Sequence, residues 1–420
     1  MSEPTTAQII LAVVLVFGIA TGCQVVAPKL KIPALVLLLP AGFLLGFIAP
    51  DDTPGRVLGS SIFPIAVDFV VAIILFQGGV GLSAIKLQAK ERNVVRRLVW
   101  IGAPITGTLA AVAAHFIIGL PWPIAIMLGA ILIVSGPTVI NPILDFARPT
   151  GRVRGILVWE GTILDPVGAL VAVVVFQVIK VSDATSIPEA VGLFLGGVLV
   201  AVVAAAIGTA LFVIGGRLAR DSAVLSTEVV LGSVLVTAGL ANLVTDSSGL
   251  LAALFMGIAA PRVARRLGVT QDPVSPFFDT IVSIGIGVLF VSISALVPFD
   301  TVQQILVPTL AVAVLLIVIQ RPLVTAVCSF GAGLSAKERL FIGLMDPRGI
   351  VAAATASSVG TVLVAAKVSG AQELLPAAFI IIAVTVTFYG LTATAFAKAL
   401  GLREAEPASS TATVPRGDAP

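Results

Sequence analysis

Charge, cysteine and histidine are all scarce in this chain. Only 11% of its 420 residues are charged, whereas 58% are hydrophobic and the mean hydropathy is +1.13. Soluble globular domains carry roughly 25% charge, so the balance excludes an ordinary soluble fold and points to a polytopic membrane protein. The two cysteines, Cys23 and Cys328, lie far apart inside apolar runs and make neither a disulfide framework nor a metal site. The single histidine, His115, reads as a packing or interfacial residue rather than a pH sensor. A net charge of +3 is too small to argue for a nucleic-acid partner. No GxSxG elbow, HExxH, P-loop or dinucleotide-binding glycine loop is present. A membrane hydrolase or an ATP-driven pump therefore has no residues to stand on, and neither an enzyme nor a cofactor is expected.

What the chain does contain is a succession of long apolar runs. Thirteen spans are predicted at 8–27, 33–50, 61–83, 98–119, 123–146, 155–179, 188–214, 222–245, 248–261, 276–297, 302–328, 338–366 and 375–399. Ten-residue segments of alternating polarity, the mark of a membrane β-barrel, are not seen. The first run has no Lys or Arg before it and is read as a retained helix rather than a signal peptide. Numbered alternately, one set of connections holds nineteen Lys and Arg residues and the other only Arg56, Lys180 and Lys367. Under the positive-inside rule this puts the N-terminus outside and the C-terminus in the cytoplasm, in a multi-pass protein of the cell inner membrane. The run KLQAKERNVVRRL, residues 86–98, reads as a solvated cytoplasmic loop. The expected organisation is a transmembrane domain over 1–402 and a disordered cytoplasmic tail over 403–420, rich in Ala, Ser, Thr and Pro, with no soluble domain following the bundle.

Two segments break helix rules in mid-membrane. SGPTVINP, residues 135–142, carries Gly136, Pro137 and Pro142; MDPRG, residues 345–349, sets Pro347 and Gly349 around Arg348, with Asp346 beside it. They fall in the fifth and twelfth spans, which suits an inverted repeat of spans four to six and eleven to thirteen. A pair of packing kinks is the plainer alternative. Between them in sequence, WEGTILDPVGAL places Glu160 and Asp165 inside an apolar run. A charge at the centre of a membrane helix costs about 2.5–3.5 kcal/mol on insertion scales, so an intramembrane carboxylate points to ion or proton handling. Five residues apart, the two acids face different sides of a helix and take different tasks. Asp165 lies within reach of the loosened fifth span and is the candidate cation ligand, with Ser135, Thr138 and Asn141 supplying hydroxyls or carbonyls. Glu160 needs a fixed counter-charge, for which Arg321 in LLIVIQRPLV is the candidate; a purely structural ion pair is the alternative. Asp68 and Gln77 in the third span are candidates for a water-filled approach, Asp68 being equally readable as a solvated helix-start residue.

With ILFQGG (74–79), GAILIVSGPTVINPIL (129–144), WEGTILDPVGAL (159–170), SGLLAALFMGI (248–258) and RPLVTAVCSFGAGLSAKERLFIGLMDPRGIVAAATAS (321–357) in view, the chain resembles the monovalent cation:proton antiporters of the NhaP/NHE (CPA1) type. The likeness is to their bacterial branch, whose members often carry a C-terminal TrkA-like domain, and covers most of residues 9–400. The resemblance implies an all-α homodimer of 13-helix subunits with two discontinuous crossing helices and a six-helix core that moves like an elevator. It matches Asp165 to the ion-carrying aspartate, Glu160 to the glutamate five before it, and Arg321 to that glutamate's arginine; Ser135 and Thr138 fall in the unwound fifth helix. Three positions depart from the family pattern: Leu164 stands where Asn is frequent, Ser135-Gly136-Pro137 where Thr-Asp-Pro is frequent, and Gln77 where a glutamate is frequent. The expectation is exchange of H+ for Na+ or K+, electroneutral because one carboxylate carries either ion. An ion-coupled solute transporter or a cation channel on a related fold is the alternative.

Overall fold

The computed structural model describes residues 6–49, 59–85, 87–180, 187–218, 223–245, 248–267 and 276–404. Fifteen helical segments account for nearly all of them. In chain order α1 is Thr6–Leu30, α2 Leu35–Ile48, α3 Gly59–Ala84, α4 Ala89–Ile118, α5 Trp122–Ile131, α6 Pro137–Ala147, α7 Gly151–Lys180 and α8 Ile187–Leu218. There follow α9 Ala223–Val244, α10 Ser248–Arg266, α11 Pro276–Ser294, α12 Phe299–Cys328, α13 Ala336–Gly343, α14 Ile350–Ala365 and α15 Leu374–Ala399. Nine helices among the described residues are long and apolar enough to cross a membrane, and four shorter apolar helices accompany them, which is consistent with thirteen crossings. The only strand-like pairing among the described residues is an isolated bridge between Pro149 and Arg403.

The two segments read as helix breakers separate half-helices. Between α5 and α6 the chain leaves the helix over residues 132–136, and between α13 and α14 over residues 344–349. Pro137 and Gly136 explain the first break, since proline lacks the donor the preceding turn needs; Pro347 and Gly349 act likewise at the second. The elements around them correspond in pairs. Helices α4 and α12 each run 30 residues, and both contain π-helical turns, at Leu98–Gly102 and Ala114–Ile118 in α4 and at Leu316–Gln320 in α12. A broken span and then a long helix follow each, α7 in one case and α15 in the other.

Without a hydrophobic force between helices in lipid, close packing relies on small residues. Gly79 on α3 and Gly257 on α10 let their backbones touch: a Cβ on Gly79 would stand 2.5 Å from Leu254 O. Polar ties at one end of the bundle join α4, α7 and α13. Arg152 on α7 reaches Glu91 on α4 at 3.2 Å and Glu338 on α13 at 3.8 Å. In mid-bundle Gln320 Nε2 on α12 donates to Thr106 Oγ1 on α4 at 2.5 Å.

Residues 89–97, expected to belong to a solvated loop, are instead the first turns of α4. A capping box starts them, with Gln88 N donating to Glu91 Oε2 at 2.8 Å, and Val94 and Val95 are buried although the sequence around them is charged. The expected tail lies outside the described residues from position 405 onward. Just before it, Glu404 N donates to Arg148 O at 2.8 Å and Thr150 N to Leu402 O at 2.9 Å, tying the end of α15 to the turn between α6 and α7.

Candidate functional site

The two breaks meet at their glycines. A Cβ on Gly349 would stand 3.1 Å from Gly136 N and 3.2 Å from Gly136 Cα, and Ser135 Oγ donates to Pro347 O at 3.3 Å. Gly136 is the N-cap of α6 and Gly349 the N-cap of α14, so two helix N-termini converge at the crossing. Free amide groups there favour negative charge. The negative charge supplied is Asp165. A Cβ on Gly136 would lie 2.8 Å from its Oδ2, and one on Gly349 3.7 Å from its Oδ1. The carboxylate thus occupies the space that a side chain at either glycine would take.

Asp165 is fully buried, and neither of its oxygens has a hydrogen-bond partner among the described residues. Thr138 Oγ1, on the first turn of α6, is buried and unpartnered as well. Buried polar groups normally find partners, and a buried charge left alone costs several kcal/mol. A carboxylate in this condition requires a counter-ion or a proton. Asn141, one turn further along α6, is half-buried.

Glu160 and Arg321 form a bidentate pair at 2.6 and 2.8 Å. Arg321 Nε also donates to Ile342 O at 3.2 Å, near the C-terminal end of α13, where the helix dipole favours a cation. Asp346, in the second break, lies 4.0 Å from Arg321 and 2.7 Å from Arg348. The result is a chain of two acids and two bases, each 2–5% exposed. Sequence alone pairs Glu160 with Arg321; it does not show the extension through Asp346 to Arg348, although the adjacent opposite charges in MDPRG carry the signal. Arg348 N also donates to Thr385 Oγ1 on α15, at 3.5 Å.

Two cavities approach the crossing from opposite directions along α7. One of 560 Å³ is lined by Val158, Pro137, Thr138 and Asn141, together with Gln77 from α3. Gln77 Nε2 donates to Asp279, in the first turn of α11. The other, of 610 Å³, is lined by Val173, by Val351 and Thr355 of α14, and by Asp68. Asp165 lies between Val158 and Val173 on the same helix and so separates the two. His115, far from the site, stacks on Trp122 with centroids 4.0 Å apart, and its Nδ1 is 2.8 Å from Leu120 O. Among the described residues no group of three or more His, Cys, Asp or Glu is placed to hold a metal ion.

The family model for the transmembrane domain of sodium/hydrogen exchangers matches residues 11–399. Na(+)/H(+) antiporter 1 of Methanocaldococcus jannaschii is 26% identical over 348 residues, covering 80% of this chain and 79% of that protein. The probable Na(+)/H(+) antiporter 2 of the same organism is 24% identical over 348 residues, covering 80% and 81%. The structure of the sodium proton antiporter MjNhaP1 from that organism at pH 8 superposes with a TM-score of 0.78 at 23% identity, covering 94% of this chain and 99% of that one. At that identity the likeness is one of fold.

Proposed function

The chain belongs to the sodium/hydrogen exchanger family, and from that premise we propose that it is a secondary active antiporter exchanging H+ for Na+, K+ or both across the cytoplasmic membrane. Both M. jannaschii relatives carry antiporter names, which supports the sodium reading; potassium is included in the proposal because Gly136 and Gln77 supply no carboxylate at those two positions to favour the smaller ion.

One observation carries this reading: Asp165 is buried and unpartnered where two helix N-termini cross, between two cavities. Its carboxylate binds either one proton or one cation. The helix ends offset part of its desolvation while it is charged, and Thr138 Oγ1 and the loosened backbone near Ser135 supply oxygens to a bound cation. Competition between the ions for one group couples their fluxes with no separate device. A channel needs a continuous polar path, whereas the two cavities are separate and the crossing of Gly136 with Gly349 lies beside the carboxylate between them, which favours the antiporter.

In this proposal α4–α7 and α12–α15 form the six-span core, clamped by Arg152 to Glu91 and Glu338 and by Glu160–Arg321–Asp346–Arg348, while the remaining helices form a scaffold and a homodimer contact. The core carries Asp165 from one cavity's side to the other, in an elevator motion. The N-terminus faces outside and the C-terminus the cytoplasm, the role being pH and cation homeostasis. In proteoliposomes holding a pH gradient, addition of Na+ or K+ should collapse the gradient. A gradient that ignores both cations, or current without counter-ion, removes the antiporter reading.

A further inference from the structure

A groove of 1020 Å³ runs down the other side of α7 from the crossing. Ile163 and Val167 line it, each two residues from Asp165 and therefore about 200° around the helix. Trp159 joins them, and Phe194 of α8 and Phe255 of α10 form the facing wall. At one end stand four arginines, Arg92 and Arg96 from the start of α4 and Arg262 and Arg265 from the end of α10. All four are exposed, and none pairs with a carboxylate among the described residues. Among the described residues, Arg262 and Arg265 donate to carbonyls of their own helix, those of Ile258 and Pro261. One residue beyond Val99, Trp100 lines the same end and is 66% exposed.

We propose that this groove binds an anionic phospholipid, its phosphate held by Arg92, Arg96, Arg262 and Arg265 and an acyl chain laid along Trp159 and Phe255. The chemistry matches at both ends. Guanidinium groups bind phosphate bidentately, and four together call for more negative charge than a zwitterionic headgroup carries. A free phosphate uses the arginines but none of the apolar length. The walls belong to membrane-spanning helices, and an exposed tryptophan beside arginines is the usual furniture of the membrane interface. The consequence for transport rests on the antiporter reading, although the binding does not. Helices α4 and α7 belong to the proposed core and α8 and α10 to the scaffold, so a lipid here spans the surface across which the core slides and packs against the back of the helix carrying Asp165.

Brominated phosphatidylglycerol tests this by quenching tryptophan fluorescence. In a Trp122→Phe background both remaining tryptophans, Trp100 and Trp159, line the groove. Each basic side chain beside an anionic lipid is worth about fivefold in binding, so Arg262→Gln with Arg265→Gln should raise the half-quenching mole fraction about 25-fold. Brominated phosphatidylcholine should quench weakly and equally in both proteins. Equal quenching by the two lipids, or an unaltered Arg262→Gln/Arg265→Gln variant, overturns the proposal. Displacement by excess inorganic phosphate reveals a free-anion site and overturns it too. Absence of quenching by either lipid shows the groove covered by a second copy and likewise overturns it. Arg92→Gln with Arg96→Gln repeats the measurement should the first pair fail to fold. Asp165→Asn should quench like its parent, so this result and that of the antiporter reading are separable.

Discussion

Removing one partner of the Glu160–Arg321 pair should be costly, and unequally so from its two ends. Both side chains are about 3% exposed and meet through two charge-assisted hydrogen bonds. Breaking such a pair leaves an uncompensated buried charge at about 3–5 kcal/mol. The third member of the network sets the asymmetry. In Glu160→Gln, Arg321 keeps Asp346 at 4.0 Å and Ile342 O at 3.2 Å, which places the loss near the lower figure, about 3 kcal/mol. In Arg321→Gln, Glu160 loses both charge-assisted hydrogen bonds and Asp346 loses one of two cations, which places the loss near about 5 kcal/mol. The double variant leaves no unmatched charge from the pair and should cost less than the sum. For a chain of 420 residues one kcal/mol corresponds to about 1 °C in Tm, so the single variants should melt about 3 °C and about 5 °C lower. Thermal unfolding of the purified protein in a double-mutant cycle reads all three. Strict additivity, or a larger loss for Glu160→Gln, refutes the network as drawn.

Three further outcomes follow from the crossing. Gly136→Ala puts a Cβ 2.8 Å from Asp165 Oδ2 on a backbone that alanine adopts readily, so the protein should fold with little loss of Tm while cation-driven proton flux falls sharply; flux equal to the parent's would contradict the placement of that carboxylate. Because protons and cations compete for one group, the apparent cation KM should rise as pH falls below the site's pKa, approaching about tenfold per unit, and stay flat well above it; a KM independent of pH across the range of activity contradicts competition. A site neutral with either ion moves no net charge over a full cycle, so flux measured at zero and at a large negative clamped potential should be equal, and clear acceleration by voltage would show a second titrating group sharing the site.

Much of this site is legible in the sequence because the bilayer makes exceptions conspicuous. Asp165 and Glu160 stand out in an apolar run, and Gly136–Pro137 and Pro347–Gly349 violate helix rules in the middle of apolar spans. The span boundary at 89–97 is misread from sequence because charged residues dominate the composition there, whereas the helix is set by a local capping box and two buried valines. The meeting of Gly136 with Gly349, more than two hundred residues apart, depends on packing that no periodicity records. The same holds for Gln77 with Asp279 and for Arg152 between Glu91 and Glu338. Asp346 is conspicuous as a member of a helix break, but its tie to Arg321 needs the third dimension.

The most direct test is Asp165→Asn. The amide is close to the carboxylate in size and cannot exchange a proton for a cation. Proteoliposomes holding the variant at the parent's density should keep their pH gradient when Na+ or K+ is added, although the protein melts no lower than the parent, since a buried unpartnered charge has been removed. Cation-driven proton flux at the parent's rate in that variant would contradict the account at its centre.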